Sequence, residues 1–211
     1  DVDKPGHLSW AEAAAIPLAG MTAWRAVVTH GEVKSGQKVL VTGIGGGCAG
    51  FAMMWALGHG SDVFVTSSSE ENIVYACGLG ASAGFDYRAE HWGHAVRDAT
   101  GGIDLVIDSS GGDGLHEALD TLNPGGRYIF FGATQGNAAA GLNMARLFFR
   151  QIRIQGTTMG RPEEFRAMVD FVRDQSIKPV VDAVFPFDDA IPAHRKLLDS
   201  EQMGKIVLEI A

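Results

Sequence analysis

Val39-Leu40-Val41-Thr42-Gly43-Ile44-Gly45-Gly46-Gly47-Cys48-Ala49-Gly50-Phe51-Ala52 is a short β-branched run, then five glycines over eight positions, then an Ala- and Met-rich segment without breakers. The order reads strand, tight turn, helix start, as a dinucleotide-binding loop requires. Glycines permit positive φ and remove the Cβ that would block close backbone approach, so the N–H groups and positive end of the helix can face a pyrophosphate. Gly45-x-Gly47-x-x-Gly50 fits the G-x-G-x-x-G template. Gly46 and Gly47 with Ala49 at the helix-packing position fit it equally well. Context strengthens the match, because a second strand, Val63–Thr66, follows about twenty residues on.

The rest of the chain alternates in the same way. Strands are expected at Lys38–Thr42, Val63–Thr66, Phe85–Tyr87, Asp104–Asp108, Arg127–Gly132 and Ile152–Gly156. Helices are expected at Gly50–Leu57, Glu70–Gly78, Trp92–Ala99, Leu115–Leu122 and Pro162–Asp174. Short, wholly apolar strands between amphipathic helices imply an α/β protein: a doubly wound, Rossmann-type parallel sheet of about six strands, covered on both faces. Before it, Leu8–Leu18 reads as a helix with a Ser9/Glu12 capping box, stopped by Pro17, and Thr22–Val28 as a second helix after Gly20. After it, Val180–Phe187 reads as extended, Asp188–Leu198 as a helix capped by Asp188, and Lys205–Ile210 as a strand added once the sheet is complete.

Composition bounds the function. At 211 residues and 46% hydrophobic, the chain can bury one sizeable core, and its formal charge of −8 argues against nucleic-acid or anionic-membrane partners. It contains no apolar run of membrane-spanning length and opens with no signal-like segment, so a cytoplasmic location is the expectation. Its first residue is Asp1 rather than Met, which reads as a chain from which something upstream has been removed. Cys48 and Cys77 form neither a disulfide framework nor a zinc knuckle. Cys48 at a helix N-terminus favours a thiolate in principle, although a small residue filling the loop is the plainer reading. His91-x-x-His94 reads as a solvated pair, since no third ligand is near in sequence.

Ala13-Ala14-Ala15-Ile16-Pro17-Leu18-Ala19-Gly20-Met21-Thr22-Ala23-Trp24, Gly36–Val41, Asp104–Asp108, Gly125–Ile129 and the ending Gly204–Leu208 together resemble the medium-chain dehydrogenase/reductase superfamily. The nearest branches are its quinone-oxidoreductase-like and zinc-type alcohol dehydrogenase members. The resemblance implies three parts: 1–25 as an interdomain helical segment, 26–179 as the NAD(P)-binding Rossmann domain, and 180–211 as a segment returning towards a GroES-like catalytic domain that has no counterpart here. The catalytic residues are therefore unknown within this chain. Zinc-dependent relatives carry a cysteine ligand four residues before a threonine that resembles Thr22. Leu18 occupies the matching position, so no metal is expected.

Cofactor choice turns on the end of the second strand, where an acidic residue would favour NAD(H). Thr66-Ser67-Ser68-Ser69 stands there instead, which places NADP(H) ahead of NAD(H). Asn72 stands where NADP-dependent relatives often have a lysine, and Tyr87 and Arg88 resemble the family's second group near the phosphate. Ser67–Ser69 also suits a plain N-cap cluster. The candidate cofactor contacts are Gly45, Gly46, Gly47, Cys48 and Ala49 in the turn, and Ser67, Ser68, Tyr87 and Arg88 at the adenosine end. Gly132-Ala133-Thr134 and Gly156-Thr157-Thr158 follow strand C-terminal ends and by resemblance line the nicotinamide half. Two other enzyme classes fail. No tyrosine has a lysine four residues on, as a short-chain dehydrogenase needs, and the acid of a methyltransferase is missing.

The resulting expectation is hydride transfer from NADPH to a small-molecule quinone, enone or carbonyl, without zinc. Two alternatives stand beside it: a non-catalytic dinucleotide-binding or redox-sensing module, and a zinc-type alcohol dehydrogenase. A late strand should lie at the sheet edge and support a homodimer, with Leu147-Phe148-Phe149 supplying apolar area unless these belong to the protomer's own core.

Overall fold

A computed structural model describes residues 2–210. Ser9 and Glu12 form the expected reciprocal cap, but the helix they start, α1, is short (Trp10–Ala15). Pro17 opens the next helix, α2 (Pro17–Trp24), because a first-turn position needs no N–H. Gly20 lies inside α2, where a Cβ would stand 3.2 Å from both the Met168 sulfur and Ile16 Cγ2. The glycine serves close packing and not a break, and its carbonyl accepts from Trp55 Nε1 at 3.0 Å. A π-helical stretch, Arg25–His30, continues the helix.

From there the chain follows the expected alternation: β1 (Lys38–Val41), α3 (Gly47–Gly58), β2 (Asp62–Ser67), α4 (Glu70–Gly78), β3 (Ala83–Asp86), α5 (Trp92–Thr100), β4 (Ile103–Asp108) and α6 (Gly114–Thr121). It continues with β5 (Leu122–Phe130), α7 (Met144–Phe149), β6 (Arg153–Gly156) and α8 (Pro162–Asp174). The six strands form one parallel sheet in the order β3-β2-β1-β4-β5-β6. This is the doubly wound Rossmann order, and the direction in which strands are added to the sheet switches between β1 and β4.

Several boundaries depart from the sequence reading. The α3 helix begins at Gly47, three residues before the expected start, because tertiary contacts outweigh the poor helix propensity of glycine. β3 ends before Tyr87. β5 begins at Leu122, and its pairing jumps from Ile103↔Leu122 to Leu105↔Arg127, so Asn123–Gly126 bulges out of register. α7 lies where the sequence suggested no helix. Asp188 belongs to a single 3₁₀ turn (Phe187–Asp189), and its side chain does not cap α9 (Ala190–Leu198).

Each sheet face carries its own core. Trp24, Phe51, Trp55 and Met168 pack with α2, α3 and α8 on one side, and Trp92, Val96 and Leu119 with α5 and α6 on the other. Trp55 is fully buried and stacks on Phe51 with centroids 5.4 Å apart. After α8, β7 (Val181–Pro186) and β8 (Lys205–Glu209) pair in parallel as a separate two-stranded sheet. A bridge between Gly46 and Gly204 ties this sheet to the glycine turn. Among the described residues no helix is long and apolar enough to cross a membrane.

Candidate functional site

The glycine turn leaves β1 at the point where the sheet reverses. Gly43 takes φ +66, and its N–H donates to Thr66 Oγ1 at 3.3 Å. Ile44 N–H donates to the Thr66 carbonyl at 2.9 Å, which anchors the turn on β2. Gly46 is the N-cap of α3, in extended conformation (φ −76, ψ 143) and with no side chain to cap the helix. The first N–H groups of α3 therefore have no intrahelical acceptor, and the positive end of the helix dipole lies on the same spot.

The glycines differ in what their missing side chains make room for. A Cβ on Gly45 would lie 2.7 Å from Asn72 Nδ2, and one on Gly47 would lie 2.5 Å from Lys205 Cδ. Those two positions accommodate the protein's own side chains. Gly46 is different, since its nearest neighbour would be the Gly43 carbonyl at 3.4 Å, an ordinary contact. The bare backbone at Gly46 is thus the part of the turn that stands clear of the protein's own side chains. Ala49 is buried and Cys48 half-buried. Burial pushes the Cys48 thiol up, against a smaller downward pull from the Lys205 charge, so the helix terminus does not create a thiolate. Cys48 fills space.

At the end of β2 the serines divide their roles. Ser67 is buried and its Oγ accepts from Ser69 N at 3.1 Å. Ser69 accepts from Asn72 N at 3.3 Å and caps α4, which gives the N-cap reading to this one residue. Ser68 remains half-buried beside them. Tyr87 and Arg88 are exposed, and the Arg88 guanidinium grips Asp86, Nη2 to Oδ2 at 2.7 Å and Nε to Oδ1 at 3.0 Å. Those hydrogen bonds hold the Asp86 carboxyl below its usual range. Asp86 is the register partner of Ser67, so β3 delivers a carboxylate to the place where β2 has none.

On the other side of the switch point the loops are laced by main chain. Thr134 N–H reaches the Ser109 carbonyl at 3.4 Å and Gln135 N–H the Ser110 carbonyl at 2.8 Å, so the loops after β4 and β5 lie against each other. A Cβ on Gly132 would meet Ser109 O at 2.7 Å. Ala133 and Thr134 are exposed. At the end of β6, Gly156 faces the Phe130 ring, and beyond it Thr157 N–H donates to Phe130 O at 2.8 Å and Thr158 is exposed. The buried Thr157 Oγ1 has no hydrogen-bond partner among the described residues.

Sequence reasoning missed Ser109, Ser110 and Lys205. The two hydroxyl oxygens lie 3.6 Å from a Cβ position on Gly43, and Lys205 comes from β8. Only Asp108, a charge closing an apolar strand, offered a local signal. Leu18, in the metal-ligand position of the resemblance, is exposed in an open apolar hollow with Pro17, Met21, Met159 and Phe165. Among the described residues no three His, Cys, Asp or Glu side chains gather where they could hold a metal ion. The His91 and His94 rings stack on each other at 5.4 Å. These residues do not fit a zinc site.

A family described as zinc-binding dehydrogenase matches residues 47–174. The zinc-type alcohol dehydrogenase-like protein YogA of Leptosphaeria maculans is 36% identical, over 98% of this chain and 60% of its own length. A 2-haloacrylate reductase of a Burkholderia species is 30% identical, over 98% of this chain and 66% of its own. A solved structure described as an NAD-dependent alcohol dehydrogenase superposes with a TM-score of 0.92 at 35% identity, covering 100% of this chain and 62% of that one. The chain thus spans roughly three-fifths to two-thirds of the length of these relatives.

Proposed function

Because this chain belongs to the zinc-binding dehydrogenase family of the medium-chain dehydrogenase/reductase superfamily, we propose that it is the cofactor-binding part of an NADPH-dependent oxidoreductase that reduces a quinone, enone or carbonyl compound without zinc. The observation that carries the reading is the bare Gly46 at the N-terminus of α3, set at the switch point between β1 and β4. An open parallel sheet takes its ligand at that point, and backbone N–H groups there suit a pyrophosphate.

In this reading the bare backbone at Gly46 presents the pyrophosphate site, with Gly45 and Gly47 flanking it beside Asn72 and Lys205, and Cys48 and Ala49 as its packed floor. Ser67, Ser68, Tyr87 and Arg88 bound the adenosine end, and Gly132–Thr134 with Gly156–Thr158 bound the nicotinamide end. When bound, the nicotinamide supplies the hydride. The chain's contribution is to fix the dinucleotide along the crevice and hold the ring in one orientation. Residues 26–179 form the nucleotide unit, 1–25 are the interdomain helical segment, with α2 packed on α3 and α8 of that unit, and 180–211 lead towards a catalytic half outside these 211 residues. The packing of α1 on β7 and β8, and of α2 on α3 and α8, supports an interdomain place for 1–25.

The 2-haloacrylate reductase among the relatives favours an activated double bond as acceptor, and Leu18 at the position of the cysteine ligand argues against zinc-dependent alcohol oxidation. Steady-state NADPH oxidation by the full-length protein, catalytic half included, with an α,β-unsaturated ketone and with a quinone tests the proposal. Consumption with neither, alongside intact NADPH binding, would turn the reading to a redox-sensing module.

NADPH binds more tightly than NADH, because β2 ends in hydroxyls and a 2′-phosphate finds Ser68 and the Arg88 fork near it, the fork's charge offsetting the Asp86 carboxylate that β3 sets beside Ser67. Discrimination is about tenfold, or ~1.4 kcal/mol, since Arg88 must leave Asp86 to meet the phosphate. Titration of the two nucleotides by calorimetry measures it, and equal dissociation constants would refute it.

A further inference from the structure

A buried carboxylate lies at the end of β4, beside the switch point, and its partners are neutral donors. Asp108 closes β4 and is 3% exposed. Thr42 Oγ1, at the end of β1, donates to Oδ1, and Tyr128 OH, on β5, donates to Oδ2. Ser110 N–H adds a bond to Oδ1 at 3.1 Å and Gly111 N–H one to Oδ2 at 2.8 Å. Thr42 Oγ1 in turn accepts from Ser109 N–H at 3.4 Å. Three successive backbone N–H groups thus converge on one carboxylate and its threonine. Burial, and then the adjacent charge, push the Tyr128 hydroxyl well up, so it stays a donor at any working pH.

The bond to Gly111 falls where the chain bends through two left-handed residues, Gly111 (φ +64) and Gly112 (φ +58). Past the bend, Gly112 N–H donates to Gly136 O at 2.8 Å. Asp108 therefore sits at the root of two loops, 109–112 directly and 132–136 through the main-chain lacing between them. A buried charge is a costly way to hold strands together, and apolar residues of equal volume often do it as well or better. What a carboxylate does that a leucine cannot is aim four donors in fixed directions.

Resting on the dinucleotide reading, we propose that Asp108 is a positioning residue for the half of the cofactor that lies beyond the switch point. It sets loops 109–112 and 132–136 as the wall against which that half rests, while the glycine turn holds the other half. A doubly wound sheet has two mononucleotide-binding halves, and Asp108 serves the β4–β6 half.

The test separates the halves with two ligands, NADPH and ADP, titrated by calorimetry into wild type, Asp108→Asn and Tyr128→Phe, with melting temperature recorded for each. Asparagine keeps the volume but turns an N–H₂ towards a donor, so NADPH should weaken at least tenfold while ADP changes less than twofold. Tyr128→Phe removes one donor of the four and should shift the same ratio about threefold, which keeps the test open if Asp108→Asn does not fold. A purely structural role would lower the melting temperature and leave the NADPH-to-ADP ratio unmoved in both variants, overturning the proposal. Wild type that binds neither ligand would overturn the dinucleotide reading, and this proposal with it.

Discussion

Gly46→Val weakens nucleotide binding by more than a hundredfold and leaves the melting temperature within a few degrees of wild type. The two halves of that result have separate causes. Gly46 holds φ −76 and ψ 143, an extended conformation that valine prefers, so the substitution brings no backbone strain. A Cβ there meets only the Gly43 carbonyl at 3.4 Å. The added branches project into the space in front of the first α3 turn, where a pyrophosphate needs bare backbone. A hundredfold loss is ~2.7 kcal/mol, the scale of a few charge-assisted hydrogen bonds to a phosphate. Gly47→Val is the contrasting control. Its Cβ would press on Lys205 Cδ at 2.5 Å and the Gly204 carbonyl at 3.3 Å, so it should lose stability along with binding. Calorimetric titration with NADPH, paired with thermal melts, checks both. Unchanged affinity in Gly46→Val would remove the observation on which the functional reading rests.

The contrast between Gly46 and its neighbours also marks how far the sequence could be read. The strand, turn and helix were legible because β-branched runs and glycine clusters act locally. Which glycine faces a ligand was not, because the answer depends on Asn72 and Lys205, which reach the turn from α4 and β8. Distance along the chain likewise hid the carboxylate beside Ser67, since only the β2–β3 register brings Asp86 there. Boundaries failed where tertiary packing overrode propensity. Pro17 starts a helix instead of ending one, and Gly20 survives mid-helix because Trp55 and Met168 fill the space beside it. The bulge at Asn123–Gly126 had a visible cause in Pro124-Gly125-Gly126, but that sequence signals a break equally well whether the strand starts before or after it.

The second large effect concerns assembly. Among the described residues β6 ends the sheet, paired only to β5, so one side of Arg153–Gly156 presents unpaired N–H and C=O groups. Immediately before it, the rings of Phe148 and Phe149 are 64% and 78% exposed and lie 4.4 Å apart. That exposure overturns the alternative that these two rings serve the protomer's own core. Leu147, half-buried against Leu122 and its neighbours, does belong to it. Met144 on the same short helix is 68% exposed, which makes a contiguous apolar surface beside an open edge. Two copies related by a two-fold axis would cover both features at once, extending the sheet and burying the rings. The expected mass by light scattering at micromolar concentration is therefore twice the 22.4 kDa of the chain. The decisive variant is Phe148→Asp with Phe149→Asp, since neither ring is buried in the protomer and the fold should melt as before while the mass halves. Ile154→Asp is a poorer probe, because Ile154 is packed against the core of Trp92, Val96 and Leu119 and a charge there would destabilise the protomer as well. A wild-type mass of one chain, or a dimer untouched by both aspartates, would rule this interface out.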